Sequence, residues 1–238
     1  MNKIKQNKIN FSLILIIIII TFSSFTLLSL PVLFNYESKV LKLKKNFYKN
    51  FHIYLDTSGK ISYKPFPKPH LLVENASLKL KKNEKSKDLI VTKNLKIFIS
   101  LRDIYLTSFE NIISAEISNT NLELKLSEIK NIRNHLYKKI NNPIILKNSK
   151  IFIKNDKDEV ILISPIKKIT YKINDKIKNK IFFIDGKLFG LDFKSNWTRS
   201  YKKPMISSHN IRLLNPKIEI NNIFKYEKKN KFNIKSYI

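Results

Sequence analysis

The sequence predicts a mainly β protein, with an N-terminal transmembrane helix followed by an antiparallel, curved β-sheet body that carries one short helix. Three observations predict it. Phe11 to Phe34 is a run of 24 residues of almost unbroken apolar character. Beyond it, apolar residues recur at every second position in segment after segment, the period of a strand with one buried face. Only one later stretch keeps the spacing of an amphipathic helix.

Residues 1–10 hold Lys3, Lys5 and Lys8 and no acid, which marks a cytoplasmic basic tail under the positive-inside rule. Residues 11–34, at about 1.5 Å per helical residue, reach about 36 Å, enough to cross a hydrocarbon core of about 30 Å. A secretory signal has a shorter apolar region of about 7–15 residues, and Asn35-Tyr36-Glu37 does not resemble a cleavage site. An uncleaved anchor is therefore expected. The far flank is basic as well (Lys39, Lys42, Lys44, Lys45, Lys49), but long domains translocate largely regardless of charge.

Residues 35–64 read as a connecting segment, 65–224 as the β-rich body and 225–238 as a basic C-terminal tail. Val40 to Tyr54 fits either a helix or a first strand. Asp56-Thr57-Ser58-Gly59 signals a turn before an extended Ile61-Ser62-Tyr63. Pro65, Pro67 and Pro69 hold Phe66 and Lys68 out of the helical region. Leu95, Ile97, Ile99 and Leu101 then alternate with polar or outward positions, and Ile112 to Leu126 continues the pattern. Ser127 is placed to cap a helix whose stripe is Ile129, Ile132, Leu136 and Ile140, and Pro143 ends it. Ile169, Tyr171 and Ile173 alternate again, and Asp185-Gly186 signals a hairpin.

Four segments share one form, an apolar alternation interrupted at an asparagine. They are 71–80 around Asn75, 115–124 around Asn119, 144–153 around Asn148 and 211–220 around Asn215. Two extra residues between alternating halves predict a bulge or tight turn, where asparagine tolerates left-handed φ. Asparagine is also simply frequent in this chain.

Net charge is +28, yet only four of the 46 basic residues are arginine (Arg102, Arg133, Arg199, Arg212). Base and phosphate recognition favours the planar guanidinium fork, so no nucleic-acid partner is expected, and the charge favours an anionic lipid surface instead. With no cysteine, disulfides and thiolate chemistry are excluded. His52, His70, His135 and His209 have no metal-ligand companions at helical spacing. Asp156, Asp158 and Glu159 lack the glycine and spacing of a calcium loop and read as a polar turn. Three glycines build no phosphate loop, and no serine sits in a nucleophile elbow. No catalytic, cofactor-binding or metal residue is assigned, and no enzyme activity, cofactor or small-molecule substrate is expected. Trp197 and Tyr201, beside Lys202 and Lys203, fit either a membrane interface or packing at a strand end.

The order of elements resembles a known family. A basic start and single anchor precede Pro65-Phe66-Pro67-Lys68-Pro69-His70-Leu71-Leu72-Val73-Glu74-Asn75. A strand ending Ile99-Ser100-Leu101-Arg102-Asp103-Ile104-Tyr105 follows, then Ile117-Ser118-Asn119-Thr120-Asn121-Leu122-Glu123-Leu124, a short helix and another Asn-centred strand pair. This resembles the N-terminal part of the AsmA family of bacterial inner-membrane proteins. That family often has a glycine soon after its L-S-L element, where this chain has Leu106-Thr107. The resemblance implies a periplasmic β-rich body on an inner-membrane anchor, acting without catalysis in phospholipid transport or outer-membrane assembly through a β-lined groove. Its partners would be membrane lipids, with a further protein of the envelope as a possible second. Leu95, Ile97, Ile99 and Leu101 are the groove-facing candidates. The alternative is a membrane-anchored structural or scaffold module that binds a protein partner.

Overall fold

The computed structural model describes residues 2–80, 89–140, 142–174, 178–200, 205–226 and 232–237. Helix α1 (Asn2–Ser29) runs into a 3-10 turn at Leu30–Leu33. Within them, Phe11–Leu33 is long and apolar enough to cross a membrane, with a mean hydropathy of 2.7. Every residue from 11 to 27 is exposed, as expected of a helix that the body does not cover.

Helix α2 (Val40–Phe51) settles the ambiguous stretch. Leu41 and Leu43 alternate with lysines as a strand would, but Leu43, Phe47 and Phe51 recur every four residues, and all three are buried. Burial of one such side chain contributes about 2 kcal/mol, so the helical spacing wins. Strands β1 (Tyr54–Thr57) and β2 (Ile61–Lys64) then pair end to end along β3 (His70–Lys79). A Cβ at Gly59, in the turn between them, would stand 2.4 Å from the Glu74 carbonyl oxygen, so only glycine fits this approach. The segment 35–64 is therefore part of the folded body and not a connector.

The sheet continues through β4 (Ile90–Ile99), β5 (Ile112–Ser118), β6 (Asn121–Lys125) and β7 (Ile144–Lys154). Helix α4 (Leu126–Lys139) carries the chain back from β6, so β5 and β6 both lie parallel to β7. An antiparallel meander follows: β8 (Val160–Asn174), β9 (Asn179–Leu188), β10 (Leu191–Ser200), β11 (Met205–Leu213), β12 (Ile218–Tyr226) and β13 (Phe232–Tyr237). The thirteen strands among the described residues form one open sheet. The last of them falls in the range read as a basic tail.

Three local expectations are corrected. The strand at Leu95 ends with Ile99, and Leu101 opens a short helix, α3 (Leu101–Tyr105), because Ser100 caps it by accepting from the Asp103 N–H. The hairpin lies at Phe189-Gly190, with φ of 50° and 81°, and not at Asp185-Gly186. Gly186 sits inside β9, where a Cβ would come within 2.6 Å of the Pro165 carbonyl oxygen. It accommodates a bulge in β8 between Ile166 and Lys168. Helix α4 is entered from Lys125, while the Ser127 hydroxyl donates to Asp156 instead of capping. The side chains of Leu136 and His135, and the whole of Tyr201, lie outside the described residues.

The asparagine motif predicts the backbone well. Asn75, Asn119 and Asn148 have φ of 47°, 55° and 46°. Register places Asn119 beside Asn148, and hydrogen bonds resume at once on either side, from Asn119 N to Lys147 O and from Lys150 N to Thr120 O. Across this crease, buried residues are three apart instead of two: Val73 and Ala76 in β3, Leu95 and Thr92 in β4, Leu146 and Ser149 in β7. Asn215 is different, lying in the β11–β12 turn.

The core joins Leu43, Phe47 and Phe51 to Leu71, Val73, Leu95, Ile97, Ile104 and Ile117. Beside it, the buried Asp103 carboxylate accepts from Ser100 Oγ (2.5 Å), Asn111 Nδ2 (2.8 Å) and Ser108 Oγ. Burial raises its pKa, and these donors outweigh burial and hold it below the usual carboxylate value. Its contribution is therefore complete above the unfolded value of about 3.9 and is lost as pH falls through the lower folded value. Asp103→Asn should lower stability at pH 7 by about 2 kcal/mol, and its stability should lose less than wild type below pH 4, read by urea denaturation of the full chain in detergent. In the same assay Asn148→Ala should cost about 1 kcal/mol, and Asn148→Gly should be close to neutral.

Candidate functional site

The inner face of the sheet is closed at one end and opens in the middle. Helix α2 lies against its first strands, and beyond it a cavity of about 350 Å3 separates the sheet from α4. Its floor is built from Ala115 and Ile117 of β5, Leu122 and Leu124 of β6, and Ile144, Leu146 and Ile151 of β7. It extends over Ile169 and Tyr171 of β8 and Phe182 and Ile184 of β9 to Trp197 of β10. Phe47, Ile53 and Leu78 wall one side, and Ile129 and Ile132 of α4 form the other. Every lining side chain is aliphatic or aromatic.

The two lining residues with polar tips turn them out of the cavity. The Tyr171 hydroxyl donates to the Ile140 carbonyl at 3.4 Å, and the Trp197 indole N–H donates to Ser207 Oγ. Both rings are left presenting apolar surface. Helix α4 is tied down at the far end by Lys125 Nζ to Asp158 at 3.0 Å and Ser127 to Asp156 at 2.8 Å. The acidic cluster is thus a polar turn that holds α4 over the sheet. No group of three or more metal-ligating side chains occurs among the described residues.

Past Trp197 the inner face continues without a helix over it among the described elements. Register carries it through Ile211 of β11 to Ile220 and Phe224 of β12, all half-buried. His209 interrupts it opposite Trp197, with Nε2 2.9 Å from Ser195 Oγ. Burial pushes the imidazole pKa below its ordinary value, so the ring is neutral at pH 7.

The sequence-predicted groove residues sit elsewhere. Leu95 and Ile97 are 0% exposed and Ile99 is 2% exposed, all within the closed core under α2, and Leu101 packs at its margin from α3. None of the four lines the cavity. The residues that do, notably Leu146, Ile151, Ile169 and Ile184, come from strands with the same alternation. What separates the two sets is the cover over them. The four-residue spacing of Leu43, Phe47 and Phe51 was the available signal, because it marks a helix that must bury one face on the first strands.

Trp197 is the chain's one tryptophan, so its emission reports on the cavity. Ser207→Ala removes the acceptor of its indole N–H and should cost about 1 kcal/mol, with a shifted emission maximum at unchanged far-ultraviolet circular dichroism. No protein-family model matches this chain, and no curated protein matches it.

Proposed function

We infer that the chain is a non-catalytic, single-pass membrane protein that holds lipid acyl chains on the inner face of its sheet. The observation that carries this reading is the all-apolar cavity, on a chain whose first helix is long and apolar enough to span a bilayer. Its volume lies near the lower end of the range for small-molecule sites, about 300–1,000 Å3. Such sites usually orient a ligand with a few polar groups. This one offers none, which suits methylene chains and disfavours polar metabolites.

The AsmA resemblance supports the same reading and adds a place. The body would stand in the periplasm on an inner-membrane anchor, with Lys3, Lys5 and Lys8 on the cytoplasmic side. It would serve envelope biogenesis through phospholipid transport or outer-membrane assembly. Thr107, where the resembled family often has glycine, has φ of 46°, in the region that glycine favours.

The test is lipid extraction and mass spectrometry of the full chain, purified in mild detergent, beside an Ile184→Asp variant. Wild type should retain phospholipid at about one per chain, and the variant should lose most of it while staying folded. Brominated acyl chains should quench Trp197 in wild type. Equal lipid in both proteins, with Trp197 blind to bromine, would overturn the reading and favour a scaffold that binds a protein partner.

A further inference from the structure

The end of the sheet at which β3 begins and β4 finishes is also where α1 meets the body. Two loops there carry exposed apolar tips: Phe66, 55% exposed, between Pro65 and Pro67, and Leu106, 60% exposed, directly after α3. Isolated exposed apolar residues are ordinary, but one of these stacks on the anchor and the other follows a residue bonded to it. The Phe66 ring stacks on Phe25 with centroids 5.8 Å apart, and Tyr105, next to Leu106, donates its hydroxyl to the Leu27 carbonyl. Phe34 meets the Tyr105 ring edge-on at 5.9 Å, and Tyr36 donates to the Pro31 carbonyl at 2.8 Å. The junction between helix and body is therefore fixed by contacts on several sides.

That junction sets a depth. Phe25 lies eight residues before Leu33, where the apolar span ends, which is roughly 12 Å along a helix axis. The 23-residue span is about 34 Å long, only about 4 Å more than a hydrocarbon core. Even with all of that surplus on the body's side, Phe25 stays roughly 8 Å inside the hydrocarbon boundary. Phe66, stacked on it, is carried to the same level. Lys64, Lys68 and Arg102 flank the two tips and are exposed, at the height where long cations reach headgroups. Each cation near an anionic surface adds attraction.

We propose that the loops around Phe66 and Leu106 are a foot that enters the anionic leaflet on the body's side, beside the anchor. The body then stands on the bilayer at three points, and the strands rise from it with the Phe189 hairpin at the distal end. This inference rests on α1 spanning a bilayer, and it is independent of what the cavity holds.

The chain has no cysteine, so single cysteines can carry a polarity-sensitive fluorophore in the full chain. Phe66→Cys, Leu106→Cys, Ile18→Cys and Phe189→Cys would each be labelled and reconstituted in vesicles of phosphatidylcholine and phosphatidylglycerol. Labels at 66 and 106 should emit to the blue of the label at 189, resist aqueous iodide and be quenched by nitroxides on the acyl chains. Either label in water, with the label at 18 in lipid, overturns the foot and leaves the anchor standing. A label at 18 exposed to iodide removes the anchor and the foot with it.

Discussion

A single-layered sheet of this size has more apolar face than its helices can cover, and that mismatch governs the architecture. Eleven strands lie along the main path of the sheet, which at about 4.8 Å per strand makes it about 48 Å across. The two helices on the inner face are each about 10 Å wide. Helix α2 closes the first strands into a dry core, and α4 stands off the middle ones. The last strands receive no helix among the described elements. A second sheet would have buried the whole face in a sandwich; with one sheet among the described residues, a graded surface remains, closed at one side, roofed over a cavity in the middle and not covered by any described helix at the other. The cavity is thus a consequence of the layer count, and its apolar lining follows from the same alternation that builds the core.

The crease adds shape to that surface. A bulged position bends a strand and increases its local twist, and here such positions are aligned from β3 to β8 instead of scattered. Asparagine serves at three of them because its short polar side chain lessens the penalty of left-handed φ. Two of the three glycines stand instead where the space for a Cβ is missing, Gly59 against Glu74 and Gly186 against Pro165, and the third, Gly190, supplies the φ of 81° in the β9–β10 hairpin. The bend keeps Val73 and Ala76, or Leu146 and Ser149, on one face although their spacing in sequence is odd. A straight strand would have turned half of each segment to water.

Much of this was legible in the sequence. The anchor, the alternation and the asparagine interruptions are local, and local patterns survive folding. The misread elements are those decided at a distance. Asp185-Gly186 has the composition of a hairpin turn, yet its glycine answers a close approach from β8 that no local pattern reveals. Leu101 continues the parity of Ile97 and Ile99, but Ser100 and Asp103 cap each other and start a helix. The cavity lining is set by tertiary cover alone. Leu95 and Leu146 look alike in sequence, and only the position of α2 makes one core and the other lining.

The excess of lysine has a structural role that the strength of individual ion pairs does not capture. Lys168, Asp185, Lys194, Arg212 and Glu219 stand opposite one another across β8 to β12. Lys194 to Asp185 is 3.8 Å with Asp185 half-buried, and Arg212 to Glu219 is 2.9 Å with both side chains exposed. Exposed pairs contribute about 0–1 kcal/mol, and Lys194 opposite Arg212 is unfavourable. The row is therefore poorly explained as a source of stability. Its effect is on register. A slip of one residue moves every side chain to the other face, and here it would drive this row of charges into the apolar side. Where α2 and α4 pack on the sheet, register is fixed by burial. Over β11 and β12, where no helix lies among the described residues, the cost of burying these charges takes that part, and it keeps Ile211 and Ile220 on the face that Ile184 and Trp197 begin.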